Sequence, residues 1–193
     1  MKIEVFTDGS CWPNPGPEGG WGCVFLAGGA AVMMFGRIYG ERVTNNIAEL
    51  TAIIRALRTI PSAGHEVEVV SDSQWSIRSL DMTYNPKKNL DLIADGRNEM
   101  MRLGWSAKDE DSLLSFRHIR GHQGNLYNEM ADKLAGEPWD NIPNVHLWDG
   151  KRLYVVACVE QDEVPAGATF PEQTVIAPRD WEVKLALLSE IPY

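Results

Sequence analysis

The sequence predicts an α/β fold on a five-stranded mixed sheet flanked by helices, with a C-terminal extension. Three observations predict it. Strand-like segments separated by turn residues fill the chain as far as Tyr39. The apolar period then changes to a helical one at Thr44, and helix and strand patterns alternate from there to Gly136. After Gly136-Glu137-Pro138 the composition shifts.

Residues 2–8 set Ile3, Val5 and Thr7 against Glu4, Phe6 and Asp8, the period of a strand. Gly9 to Pro17 is rich in glycine and proline and reads as turn. Residues 21–27 and 31–39 read as two further strands joined at Gly28-Gly29, so the chain opens with three antiparallel strands. From Thr44 to Ile60 the apolar residues Ile47, Leu50, Ile53, Ile54, Leu57 and Ile60 share one helical face. Thr44 or Asn45 caps its start and Pro61 follows its end. Residues 66–71 read as a fourth strand, 73–80 as a short helix, 88–103 as a second long helix after the Asn85-Pro86 break, 113–119 as a fifth strand, and 125–135 as a last helix.

Beyond Gly136, Asp149-Gly150 lies between two apolar runs, 145–148 and 151–156, and reads as a hairpin. Residues 178–190 read as a short amphipathic helix with Trp181, Leu185 and Leu188 on one side.

At 193 residues with 44% hydrophobic content, the chain is long enough to bury a core and is not of disordered composition. No apolar run reaches the roughly 18 residues of a membrane span, and the charged start is unlike a signal peptide. Three cysteines, Cys11, Cys23 and Cys158, with no Cys-x-x-Cys, argue against a disulfide framework or a structural zinc site. These features point to a soluble protein of a reducing compartment, the cytoplasm. The net charge of −9 argues against a basic nucleic-acid coat protein. The charge is uneven: 14 basic and 17 acidic side chains precede residue 137, with 4 and 10 beyond it.

Four carboxylates stand out by position. Asp8 and Asp72 end the first and fourth strands, where ligand sites of α/β sheets form. Glu49 lies on the first long helix and Asp132 on the last. Clustered carboxylates repel, and burial raises that cost. A hard divalent cation relieves it, because Mg²⁺ and Mn²⁺ prefer oxygen ligands. Two such ions activate water and stabilise the leaving oxygen of a phosphodiester.

The residues around these carboxylates resemble type 1 ribonuclease H. Phe6-Thr7-Asp8-Gly9-Ser10-Cys11 with Asn14-Pro15-Gly16-Pro17 is similar to the family's opening, and Thr44-Asn45-Asn46-Ile47-Ala48-Glu49-Leu50 to its helix motif. Ser71-Asp72-Ser73-Gln74 resembles the third motif; Gly121-His122-Gln123-Gly124 with Asn128-Glu129-Met130-Ala131-Asp132 resembles the fourth. The resemblance covers residues 1–136 as a catalytic domain and leaves 137–193 as an acidic extension. It implies a ribonuclease H-like sheet of three antiparallel then two parallel strands. It implies endonucleolytic hydrolysis of the RNA strand of RNA–DNA hybrids, with 5′-phosphate and 3′-hydroxyl ends. Two Mg²⁺ ions, or Mn²⁺ in their place, would be held by Asp8, Glu49, Asp72 and Asp132. His122 would assist proton transfer and product departure, and Glu129 would shape the site without binding metal.

For the substrate, the resemblance implies that Ser10, Cys11, Asn14, Asn45, Asn46 and Gln74 read the 2′-hydroxyl. Arg42, Thr44 and Asn89 would form a phosphate pocket for the DNA strand, and Trp75 would face that strand or pack in the core. His65, His118 and His146 stand outside any motif and read as structural.

Two departures from the family are visible. Only Thr83-Tyr84-Asn85-Pro86-Lys87-Lys88 stands where many members carry a basic, tryptophan-rich protrusion. The acidic extension lies outside the resemblance. It admits three uses: packing on an edge or face of the domain, docking a protein partner or a second copy of the chain, or guarding against non-specific nucleic acid. A non-catalytic hybrid-binding module on the same fold is the alternative function; retention of all four carboxylates argues against it.

Overall fold

The computed structural model describes residues 2–27, 30–60, 64–107, 112–136 and 155–158. Strands β1 (Lys2–Ser10), β2 (Gly16–Ala27) and β3 (Ala30–Val43) form an antiparallel meander. Helix α1 (Asn45–Thr59) then crosses to β4 (Glu66–Ser71), which pairs parallel to β1. Helices α2 (Gln74–Leu80) and α3 (Leu90–Arg102) precede β5 (Leu114–His118), parallel to β4, and α4 (Leu126–Gly136) follows it. The order β3-β2-β1-β4-β5 is the predicted five-stranded mixed sheet.

A sixth strand, β6 (Val155–Cys158), adds in parallel to the outer edge of β3, pairing Ala31 with Val155 through Met34 with Cys158. It belongs to the extension. The rest of the expected hairpin, including Asp149-Gly150, and the expected helix at 178–190 lie outside the described residues.

The helix caps follow from local chemistry. The Thr44 hydroxyl accepts from the Ile47 N–H, closing the start of α1. Ser73 serves α2 in the same way. At the far end of α1, the Ile60 N–H donates to the Leu57 carbonyl, and the Arg102 guanidinium donates to the Leu57 and Ile60 carbonyls, covering acceptors of the last turn. The apolar stripe of α1 enters the larger core with Val5, Trp21, Phe25 and Val69 of the sheet and Met100 of α3. A second core lies on the other sheet face, where Met130, Ala131 and Leu134 of α4 meet Phe6, Val24, Phe35 and Val70.

Several boundaries differ from the expectation: β1 runs two residues past Asp8 to Ser10, and β3 runs four past residue 39 to Val43. β2 begins at Gly16, five residues earlier than residue 21, with a register shift between Gly16 and Glu18. Gly16, Gly19 and Gly20 have little intrinsic strand preference, but ladder bonds to β3 determine their conformation.

Glycine is also needed within this strand. A Cβ on Gly22 would lie 2.4 Å from the Ala131 carbonyl oxygen and 2.7 Å from Leu134 Cβ. The α4 backbone therefore rests directly on β2, which fixes the depth at which Asp132 enters the site.

Candidate active site

β1 and β4 run side by side as far as Thr7 opposite Ser71, so Asp8 and Asp72 both lie just beyond the last pair, while β1 itself continues to Ser10 against β2. α1 crosses above them. A Cβ on Gly9 would lie 2.1 Å from both the Ala48 carbonyl carbon and the Glu49 nitrogen. Only a residue without a side chain lets the second turn of α1 come this close to β1. As a result, one oxygen from each of Asp8, Glu49 and Asp72 falls within 4.8 Å of the others.

Burial and mutual charge set the behaviour of this triad. Asp8 is only 6% exposed. Burial, then the charges of Asp72 and Asp132, push its carboxyl up to about 8. Burial, then the charges of Asp8, Asp72 and Asp132, push Glu49 up to about 10. A hydrogen bond between the two carboxyls favours the charged form of Asp8 and the neutral form of Glu49. The Gly9 N–H donates to Asp8 Oδ1 at 2.7 Å. Glu49 Oε2 is buried and has no hydrogen-bond partner. A buried carboxylate oxygen left unpartnered among like charges is the environment a hard cation relieves. The donor set, all oxygen with no sulfur or imidazole, fits Mg²⁺ or Mn²⁺.

Asp132, on α4, is close enough to raise both Asp8 and Glu49, but its oxygens do not join the group of three. It faces outward, with Oδ2 3.9 Å from His122 Nδ1. His122 is 79% exposed and holds a left-handed backbone, φ 54°, in the turn between β5 and α4. Glu129 Oε1 accepts from the Gly124 N–H at 3.0 Å and so ties this turn to α4.

Asn128 has a part its sequence motif did not reveal. It is buried, one helical turn before Asp132, and its Nδ2 donates to Asp72 Oδ2 at 3.4 Å. It therefore links α4 to the β4 carboxylate. The available signal was an amide in the first turn of a helix, on the same face as a candidate ligand. The approach of the β5–α4 turn adds to this, because a Cβ on Gly121 would lie 2.3 Å from Asp72 Oδ2.

A cavity of about 790 Å³ lies beside the start of α1. It gathers Arg42, Thr44 and Asn89, the expected phosphate pocket, together with Trp75. Asn14, Asn45 and Asn46 line it as well. Trp75 also packs against the larger core. Ser10, Cys11 and Gln74 are not among the lining residues. Cys11 is committed inward: its Sγ lies 3.2–3.3 Å from the Pro13, Glu18 and Val43 carbonyl oxygens, which share its single S–H, and its N–H donates to Asn45 Oδ1 at 2.9 Å. Tyr84, Lys87 and Lys88 join the lining although no motif marks them as substrate residues. With Arg42 they give the cavity three cations and no carboxylate, in a chain of net charge −9. Asn89 enters with a left-handed backbone, φ 57°, just before α3.

The close approach at Gly9 makes a sharp prediction. Gly9→Ala forces α1 away from β1 and separates Glu49 from Asp8. Misplacement by about 1 Å costs on the order of 10²-fold in rate. Steady-state cleavage assays should show a fall of that size, with circular dichroism still reporting a folded chain.

The chain matches the family model RNase H over residues 1–139. It is 38% identical over 148 residues to a ribonuclease H of Methylorubrum extorquens, spanning 70% of this chain and 59% of that protein. It is 35% identical over 150 residues to a ribonuclease H of Hahella chejuensis, spanning 69% of this chain and 90% of that protein. Among solved structures, LC11-RNase H1 in complex with an RNA/DNA hybrid superposes with a TM-score of 0.57 at 29% identity, covering 72% of this chain and 97% of that one. RNase H1 of the halophilic archaeon Halobacterium salinarum gives a TM-score of 0.54 at 29% identity, covering 73% and 99%. Among the described residues, no helix is long and apolar enough to cross a membrane.

Proposed function

The chain belongs to the ribonuclease H family and is an enzyme of that class, and from this premise we propose that it hydrolyses the RNA strand of RNA–DNA hybrids internally, leaving 5′-phosphate and 3′-hydroxyl ends. The observation that carries the reading is the convergence of Asp8, Glu49 and Asp72 within 4.8 Å, with a buried Glu49 oxygen unpartnered. Asp8, Glu49, Asp72 and Asp132 would hold two divalent cations. When bound, such ions activate water as the nucleophile and stabilise the leaving oxygen.

The chain's own residues supply the rest. Asp8 and Glu49, which burial and mutual charge keep inclined to hold protons, would give them up as a cation takes their place between carboxylates already within 4.8 Å of one another. Asn128 holds Asp72 in orientation. His122 stands exposed beside Asp132 on its turn, where an imidazole can give a proton to the departing 3′-oxygen and take one from water. Asn14, Asn45, Asn46 and Gln74 offer amide groups that both donate to and accept from a 2′-hydroxyl. Ser10 lies at the end of β1 beside them, and the Cys11 N–H holds Asn45 in place. Arg42, Thr44 and Asn89 receive a DNA-strand phosphate in the cavity, with Trp75 against its sugar.

The test is cleavage of a strand-labelled hybrid with Mg²⁺, beside matched RNA–RNA and DNA–DNA duplexes. The reading expects internal cuts in hybrid RNA alone, with ligatable 5′-phosphates. Cutting of DNA, or hybrid binding without cutting, would overturn it.

The charge of the cavity sets the salt dependence. Three cations touching phosphate give a slope of about −2 to −3 in log affinity against log salt, since each contact contributes roughly −0.7 to −0.9. Arg42→Ala should flatten the slope by about one. A wild-type slope of about −6 or steeper would show that further basic contacts operate.

A further inference from the structure

Trp12 has no place in the assignments above. Among the described residues it is the most exposed large apolar side chain, at 91%. Burying such a ring against a partner removes a large apolar area from water and leaves its N–H free to bond.

Its position is fixed on both sides. The preceding residue, Cys11, is anchored through its thiol to three carbonyls, those of Pro13, Glu18 and Val43, at 3.2–3.3 Å. The Cys11 N–H also binds Asn45 Oδ1. Two residues after Trp12, Asn14 Oδ1 accepts from the Asn45 N–H at 3.3 Å. The loop is thus tied to the start of α1, and its tryptophan stands out from a stiff base.

The loop also separates two places. Asp8 of the carboxylate triad lies four residues before Trp12, and Asn14 of the cavity lies two residues after it. A duplex with its cut strand at the triad and the phosphate of its other strand in the cavity must present to this loop the groove between its two backbones. In an A-like helix that groove is wide and shallow, and displays sugars and base edges. An indole offers them an apolar face and one N–H donor.

Resting on the reading of an RNA–DNA hybrid as substrate, we infer that Trp12 is a substrate-positioning residue that packs into the groove of the bound hybrid, against the sugars and base edges between the triad and the cavity. It holds the duplex without touching the reacting phosphate. Because its loop is ordered beforehand, little freedom is lost on contact.

The test is steady-state hybrid cleavage and hybrid binding by anisotropy for the wild type, Trp12→Ala and Trp12→Phe, with thermal melts beside them. An aromatic contact to nucleic acid predicts that Trp12→Ala raises KM and Kd about 5- to 20-fold, leaving kcat within about two-fold and the melt unshifted. Trp12→Phe should recover most of the loss. If the wild type cuts hybrid and Trp12→Ala has the same KM and Kd, the inference fails while the functional reading stands. It fails equally if the change appears in kcat and the melt together, or only as a change of oligomeric state in sedimentation. If the wild type neither binds nor cuts hybrid, both fall.

Discussion

Asp8→Asn abolishes cleavage of hybrid RNA, by at least about 10³-fold, while hybrid affinity stays within a few-fold of wild type. The substitution removes one charge and one strong cation ligand from a site where three carboxylates share a space of 4.8 Å. Cation stabilisation of the transition state is worth several kcal/mol, and each 1.36 kcal/mol is tenfold in rate. The cavity and the loop proposed to grip the duplex lie outside the triad, so binding should persist. Single-turnover cleavage and anisotropy on one preparation measure both quantities. A variant that retains more than about a tenth of the rate would remove Asp8 from the metal site.

The same substitution makes the metal-free protein more stable. Asp8 is raised to about 8 and Glu49 to about 10 by burial and by each other. Both are acids with folded values above their unfolded ones, so between about pH 4 and pH 8 the folded state holds more protons than the unfolded state. Stability then falls as pH rises through that range, because ionising the pair costs more inside the fold than outside it. Metal-free wild type should lose stability steadily between pH 5.5 and 8, by up to about 1.36 kcal/mol per pH unit for each proton the fold retains, with a matching fall in Tm. Asp8→Asn and Glu49→Gln should each melt higher than wild type at pH 8 without metal, and with a flatter pH dependence. Saturating Mg²⁺ should reverse the order, raising the wild type and leaving the variants nearly unmoved. Calorimetric melts at several pH values, with and without Mg²⁺, decide it; a metal-free wild type that melts highest at pH 8 would contradict the account.

Such a site gives up stability for function, and the sequence shows where. Asp72 was legible as a carboxylate at a strand end, because the strand pattern stops before Ser73; Asp8 was read as a strand end too, but β1 runs on through Gly9 to Ser10 and Asp8 marks only the end of its pairing with β4. α1 was legible from one apolar stripe and one threonine cap, so Glu49 could be placed beside that stripe. What escaped the sequence depends on contacts between distant segments. The contacts of Gly9 with α1 and Gly22 with α4 consist of missing side chains, and a glycine in a strand reads only as a weak strand former. Asn128 bonds to a residue 56 positions away, a distance no local pattern spans. Lys87 and Lys88 follow the Asn85-Pro86 break, where a loop gives way to the helix read from residue 88, and only the fold brings them into one cavity lining with Arg42. The pairing of β6 with β3 joins segments more than a hundred residues apart, whereas a local hairpin signal at Asp149-Gly150 was all the chain offered there.

The most direct test of the central claim, that these carboxylates form a divalent-cation site in which metal replaces protons, is titration of the metal-free protein with Mn²⁺ by calorimetry at pH 7 in buffers of different ionisation heat. The account predicts saturable binding with release of about one proton or more per chain, seen as a heat that scales with the buffer and that Glu49→Gln largely removes. Binding whose heat is the same in every buffer, or no binding to the wild type at millimolar Mn²⁺, would contradict it.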